Sequence, residues 1–257
     1  MSRQLPGLTG ACSVPTQPFQ LAQINLTRAV RLNDIGVLSG PAGCGKTYAL
    51  EHFLNTSPVM TGRVRTYLEM PPKPAAKEFT VRLLTATVGS CDHRKAAYLL
   101  TNELHDVLYG SNRVVVVDEA HNLGVLGLQS LRYLHQRGEF TWSLVLVGAR
   151  IAEALSAGDV EELKSRAEGL VLFQPLTGAE LLASLHKLHP LLTGAANDQL
   201  RYVDTQFGRG RFRNWAKFLR VALELAPKLK TTTLNDSLVA ASLAAVGADA
   251  WRTAGPR

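Results

Sequence analysis

The stretch Gly40-Pro-Ala-Gly43-Cys-Gly45-Lys46-Thr47 constrains this 257-residue chain more than any other. It fits the spacing G-x-x-x-x-G-K-[ST] and stands where that spacing has physical meaning. The apolar run Ile35–Ser39 before it reads as a buried strand, and Lys46–Leu54 after it reads as a helix. Glycines let backbone N–H groups converge on a phosphate without Cβ clashes. A helix opening at Lys46 turns its positive end toward the same phosphates. The Lys46 ammonium then reaches the β- and γ-phosphates, and the Thr47 hydroxyl ligates a magnesium ion. The expected nucleotide contacts are therefore Gly40, Pro41, Ala42, Gly43, Cys44, Gly45, Lys46, Thr47 and the adjoining Tyr48, with ATP and Mg²⁺ as ligands.

A second motif completes the first. Val114-Val-Val-Val117 runs into Asp118-Glu119. An unbroken valine run is what a strand covered on both faces requires. Asp118 then emerges at the carboxyl end of the strand, where open α/β sheets bind ligands, and can hold Mg²⁺, partly through water. Glu119 is placed to polarise the attacking water as a general base. Asp118-Glu-Ala-His121 also spells the box of some helicases. A monomeric helicase motor needs two such domains, and the sequence holds one phosphate loop, so His121 reads as a surface or supporting residue.

Strands are expected at Ile35–Ser39, Val64–Met70, Arg113–Asp118, Trp142–Val147 and Gly169–Phe173. Helices are expected at Leu21–Val30, Lys46–Leu54, Ala76–Val88, Arg94–Tyr109, Leu123–Gln136 and Ile151–Leu155. This alternation implies parallel crossover units and a covered sheet. After Pro175 only helices are expected: Gly178–His189, Asp198–Gln206, Phe212–Leu225 and Leu234–Val246. The fold class is thus a three-layer α/β sandwich with a parallel central sheet, followed by a small helical lid domain. The boundaries fall at 1–18 for a poorly ordered arm, 19–176 for the nucleotide-binding domain, 177–250 for the lid and 251–257 for a tail.

The chain is 46% hydrophobic and 19% charged, which is ordinary globular material. Apolar runs such as Val114–Val117 fall far short of the ~20 residues of a membrane span. Three cysteines, Cys12, Cys44 and Cys91, lack metal-type spacing and read as reduced thiols of a cytoplasmic protein. The net charge is +7, and its excess is concentrated between Arg201 and Lys230, where eight Lys or Arg face only Asp204 and Glu224. Such a balance is compatible with nucleic acid.

With these motifs in hand, the sequence resembles the AAA+ ATPases over about Ile35 to Leu225. Asp118-Glu-Ala-His-Asn-Leu123 and Ser143-Leu-Val-Leu-Val-Gly-Ala-Arg150 look like the target-selection ATPases of phage Mu-type and related transposons. Origin-recognition and secretion-associated ATPases are similar too. The resemblance implies ATP hydrolysis, self-assembly into a ring or helical filament, and further site residues. Sensor 1, usually Asn, Ser or Thr, falls on Gly148-Ala149, so its polar contact is missing or supplied by Arg150. An arginine finger acting on a neighbouring subunit falls on Arg166, with Lys164 and Arg150 as weaker candidates. Sensor 2 falls on Arg213 in Gly210-Arg-Phe-Arg213, with Arg211 as the alternative.

In the resembled DNA-binding ATPases the loop after the second strand grips duplex DNA. Here that loop supplies Lys73 and Lys77, and the helix after it Arg82, as expected contacts to the sugar–phosphate backbone, which carry little sequence information. The implied partners are double-stranded DNA, a transposase or related recombinase and further copies of the chain, with no membrane. Two other readings remain open: an assembly ATPase acting on proteins without DNA, and a nucleotide-gated scaffold with negligible turnover.

Overall fold

The computed structural model describes residues 8–75, 77–137, 141–156 and 161–247. The tail 251–257, residues 1–7 of the expected arm and Ala76, the expected start of a helix, lie outside these. The chain divides into two compact units.

The α/β unit contains residues 18–41 and 49–173. Its elements begin with α1 (Gln17–Arg31), β1 (Ile35–Ser39), α2 (Lys46–Thr56), β2 (Val64–Glu69), α3 (Glu78–Val88) and α4 (Ala97–Leu108). They continue with β3 (Arg113–Asp118), α5 (Gly124–Arg137), β4 (Ser143–Gly148), α6 (Ile151–Ala154), α7 (Glu161–Ser165) and β5 (Ala167–Leu172). The strands form a five-stranded sheet in the order β2-β3-β4-β1-β5. Every pairing is parallel. The chain runs from β1 out to the β2 edge, returns through β3 and β4, and finishes on the far side of β1. The strand order therefore reverses beside β1, and crevices at such points lie outside the carboxyl ends of the strands.

Burial follows position in the sheet. All residues of β1 and β4, and the four valines of β3, are buried, whereas edge strand β2 alternates. On one side Leu83, Leu84, Leu100, Leu104, Leu128 and Leu131 join Val115, Val117, Leu144 and Leu146 in one apolar core. His135 of α5 lies at the foot of the sheet. Its Nε2 is 3.0 Å from the Asn33 carbonyl and 3.1 Å from that of Trp142. The ring meets the Trp142 indole edge-on, with centroids 4.9 Å apart.

Burial pushes the His135 pKa below its ordinary value. The folded state therefore favours the neutral ring, while the unfolded chain takes up a proton near pH 6.5. The stability linked to this group is present above that pH and is lost as pH falls from it toward the lower pKa of the folded state, with a slope of at most about 1.4 kcal/mol per pH unit. Urea unfolding of wild type and His135→Gln at pH 7.5 and 5.5 checks this. The wild type should lose more stability across that interval than the variant.

The helical unit contains residues 8–17, 42–48 and 174–247 of the described chain. Its helices are α8 (Gly178–Leu188), α9 (Pro190–Thr193), α10 (Asn197–Val203), α11 (Phe212–Leu225) and α12 (Asp236–Ala245), with a π-turn at Asp204–Gly208. Helix α11 buries Phe212, Trp215, Ala216, Phe218, Leu219 and Ala222, the spacing of one helical face. The Asn235 side chain caps α12 by accepting from the Leu238 N–H at 2.9 Å.

Two expectations change here. Residues 8–16 do not form a loose arm. Leu8 and Val14 are buried in the helical core, and the Cys12 N–H donates to the Leu188 carbonyl at 2.8 Å. Helix α1 accordingly starts at Gln17 rather than Leu21. Residues 42–48, expected with the sheet, cluster with the helices. Smaller differences are a 3₁₀ turn at Ala120–Leu123 before α5 and the short helix α9, which the sequence reading passed over.

Candidate nucleotide site

Strand β1 delivers the phosphate loop. The Gly40 N–H donates to the Gly148 carbonyl at 3.2 Å, and the Phe173 N–H donates to Ser39 O at 2.7 Å. Gly40 has φ 143, and a Cβ there would lie 1.9 Å from Phe173 O. Only glycine fits this exit from the strand. Gly43 and Gly45 also have positive φ, 83 and 103. Lys46 opens α2 and is nearly buried at 9% exposure.

Within the helical unit, residues 42–48 meet the start of α11. The Arg213 N–H donates to the Gly43 carbonyl at 3.3 Å. A Cβ on Gly43 would sit 2.8 Å from the Arg213 Cβ and 3.8 Å from that of Arg211. Both sensor 2 candidates therefore border the phosphate loop. Arg213 is exposed, whereas Arg211 is partly buried with its Nε lacking a hydrogen-bond partner. Burial pushes the Cys44 thiol up, against the opposing influence of Arg211 and Lys46, so it stays an inert thiol. The Tyr48 hydroxyl pairs with Ser13 Oγ, which ties residues 8–16 to the loop.

On the α/β unit, Asp118 ends β3. Its Oδ1 accepts from the Glu119 N–H at 2.8 Å, and its Oδ2 accepts from the Tyr67 hydroxyl. Sequence reasoning missed Tyr67. It lies on the neighbouring strand β2, paired in register with Val116. Burial, and then its bond to Asp118, push the Tyr67 phenol above its ordinary pKa, so it remains a donor. Each Asp118 oxygen keeps a lone pair for further coordination. Glu119 adopts the left-handed conformation, φ 51, and its side chain is 45% exposed. It borders a cleft of about 580 Å³ with Glu69, Met70, Arg82 and His121.

The residues fit the ligands expected of them. Glycines with no room for a Cβ, a buried lysine and a helix start suit phosphate. A hydroxyl and a carboxylate are the hard oxygen donors that Mg²⁺ takes, usually with phosphate and water completing its shell. Among the described residues no cluster of three or more His, Cys, Asp or Glu could hold a metal by itself.

The remaining candidates scatter. Arg166 directly precedes β5, and the charges it influences are those of Asp34 and His135. Those residues flank the amino-terminal end of the sheet, opposite the end that carries Asp118. Within one chain's α/β unit Arg166 and Glu119 are thus not brought together. Lys73 is exposed on its loop with φ 51. Lys77 is turned inward instead: its ammonium donates to the carbonyls of His93 and Lys95. Arg82 pairs with Glu78 at 2.7 Å. Two of the three expected DNA contacts are therefore already engaged. By contrast Arg201, Arg209, Arg213, Lys217, Arg220, Lys228 and Lys230 of the helical unit are all exposed.

Comparison with known proteins bears on the fold. The family described as AAA domain matches residues 30–155. A search of curated proteins returns no match. Among solved structures, the Aeropyrum pernix ORC2 protein in ADPNP–ADP complexes is similar at TM-score 0.65 and 17% identity, covering 94% of this chain and 71% of its own. Drosophila ORC bound to DNA gives TM-score 0.65 and 18% identity, covering 98% and 66%. The Thermotoga maritima RuvB Holliday junction branch migration motor gives 0.56 and 17%, covering 89% and 67%. Among the described residues no helix is long and apolar enough to cross a membrane. The chain thus has a P-loop AAA+ fold, with the match to the AAA domain spanning residues 30–155.

Proposed function

We propose that the protein is an oligomeric AAA+ ATPase that binds duplex DNA when loaded with ATP and assists a transposase or related recombinase. The observation that carries the DNA reading is the row of exposed cations between Arg201 and Lys230. Only Arg201 has an ion pair in the described structure, a 3.9 Å contact with Asp198. Lys73 adds one exposed cation on the α/β unit. The recombinase reading is supported by the resemblance at Asp118–Leu123 and Ser143–Arg150.

In this reading Lys46 binds the β- and γ-phosphates, and Gly40–Gly45 supply backbone N–H donors. Thr47 and Asp118 hold magnesium, which when bound neutralises charge on the phosphates. Tyr67 keeps the Asp118 carboxylate in one orientation. Glu119 takes a proton from the water that attacks the γ-phosphorus, while the bond from that phosphorus to the β–γ bridging oxygen breaks and ADP leaves. Arg213 answers to the γ-phosphate, and Arg166 serves a neighbouring copy rather than its own.

Filter binding of a random-sequence duplex, with ATP analogue, with ADP and without nucleotide, tests the proposal. Retention should require ATP analogue, tolerate sequence changes and weaken steeply with salt, log K falling by about 0.9 per contacted phosphate for each decade. The variant Arg209→Glu/Lys217→Glu/Arg220→Glu should lose at least about tenfold in affinity. Retention that ignores both nucleotide and salt would remove DNA from the proposal and favour an ATPase acting on protein partners.

A further inference from the structure

Strand β4 ends at Gly148, where a side chain would have been expected to point toward the phosphates. The space is taken from the neighbouring turn. A Cβ on Gly148 would lie 2.9 Å from Nδ1 of His121, and 3.4 Å from the backbone nitrogens of Ala120 and His121. The imidazole therefore rests on the bare backbone of β4, with its side chain 18% exposed. Nδ1 is sealed from solvent and lacks a hydrogen-bond partner. It faces Oε2 of Glu119 at 3.4 Å, an electrostatic contact without the geometry of a hydrogen bond.

A buried ring nitrogen with no partner is costly unless the site needs it. Glu119 has the complementary defect. It sits in left-handed backbone, φ 51, and its carboxylate projects half-exposed into the cleft. A carboxylate in that setting samples several rotamers, and water activation requires one. A hydrogen bond between Nδ1 and Oε2 would satisfy the ring nitrogen and fix the carboxylate at once.

We infer that His121 is a positioning residue for Glu119, and that Gly148 is the aperture that admits its ring. The inference rests on Glu119 being the water-activating base. His121 touches neither nucleotide nor metal in this role. It holds the carboxylate of Glu119 in the orientation from which that group meets water. The bare Gly148 is then not a lost polar contact but the condition for one that comes from the adjacent turn.

The test is steady-state ATPase with nucleotide affinity measured separately, on the full chain with Mg²⁺ and DNA, for His121→Ala, His121→Asn, Gly148→Ala and His121→Ala/Gly148→Ala. His121→Ala should lower kcat by about 10- to 100-fold with ATP affinity within about twofold of wild type. His121→Asn, whose amide nitrogen replaces Nδ1, should recover most of the loss. Gly148→Ala leaves the imidazole in the sequence but pushes it off its seat, and should show the same kcat defect. The double variant should be no worse than the poorer single variant, because both act through one contact.

Thermal melting identifies any variant that fails to fold, and Gly148→Ala with His121→Asn keep the question decidable if His121→Ala does. An unchanged kcat in folded His121→Ala or Gly148→Ala, or a loss seen equally in ATP affinity, overturns the inference. Glu119→Gln is the control. If it still turns over, the assignment of the base fails. If it is dead while His121→Ala is normal, only the role of His121 fails.

Discussion

Replacing Lys46 with alanine is expected to weaken ATP binding by about 10²-fold or more and to abolish turnover at physiological nucleotide concentration. Lys46 is nearly buried, at 9% exposure, and a charge at the edge of the protein interior is less screened than one in open water. Removing one member of a desolvated charge pair costs about 2–5 kcal/mol, much of it from leaving the opposite charge unpaired. Neighbouring glycines would still offer N–H donors, but these are dipoles, without the net charge that balances a triphosphate. Titration calorimetry with a non-hydrolysable ATP analogue reads the effect directly. Lys46→Arg keeps the charge but not the compact point geometry, and should recover only part of it. Full affinity in Lys46→Ala, with Mg²⁺ present and the fold intact, would remove the basis for every role assigned around the loop.

Glu119→Gln should separate binding from chemistry. The amide has the size of the carboxylate and keeps a carbonyl oxygen, but cannot take a proton at neutral pH. General-base catalysis contributes about 10²–10⁴-fold, and kcat should fall within that range. Nucleotide affinity should stay near wild type, because Lys46, Thr47 and Asp118 are untouched. The variant should therefore accumulate in the ATP-loaded state, and if ATP drives assembly, as oligomers on DNA. Single-turnover hydrolysis together with sedimentation in ATP reads both halves. Turnover at the wild-type rate would mean that another group activates water, and the open cleft beside Glu119 would need a different explanation.

Much of the sheet was legible because its signals are local. The four valines between Arg113 and Asp118 can only be a covered strand, and β1 and β3 have the bounds expected of them. The same holds for α11, whose apolar face repeats without interruption from Phe212 to Leu225. The N-terminal segment was misread because its partners are remote. Nothing near Leu8 or Val14 in the sequence signals that they fill a core formed by residues 176–243.

The site divides along the same line. The phosphate loop and Asp118-Glu119 are contiguous strings, and a string can be read. Tyr67 could not be found without knowing that β2 lies beside β3 and in what register. Lys77, at the end of the Pro-rich loop, and Arg82, on the helix after it, were expected to face DNA. Their fate was decided by His93, Lys95 and Glu78, through contacts that composition does not encode. Asp204 is a similar case: its Oδ1 accepts from the Trp215 indole N–H and from the Gly210 N–H, both at 2.8 Å, and so fixes the turn that carries Arg211 and Arg213.

That indole has a use of its own. Trp215 is almost fully enclosed, at 1% exposure, and stands two residues from the arginine whose backbone meets the phosphate loop. Its emission should be blue, as expected of a ring shielded from solvent, and should depend on the carboxylate that holds it. In a chain whose other two indoles, Trp142 and Trp251, are replaced by phenylalanine, its emission is expected to report nucleotide binding at the helical border of the loop without an attached dye.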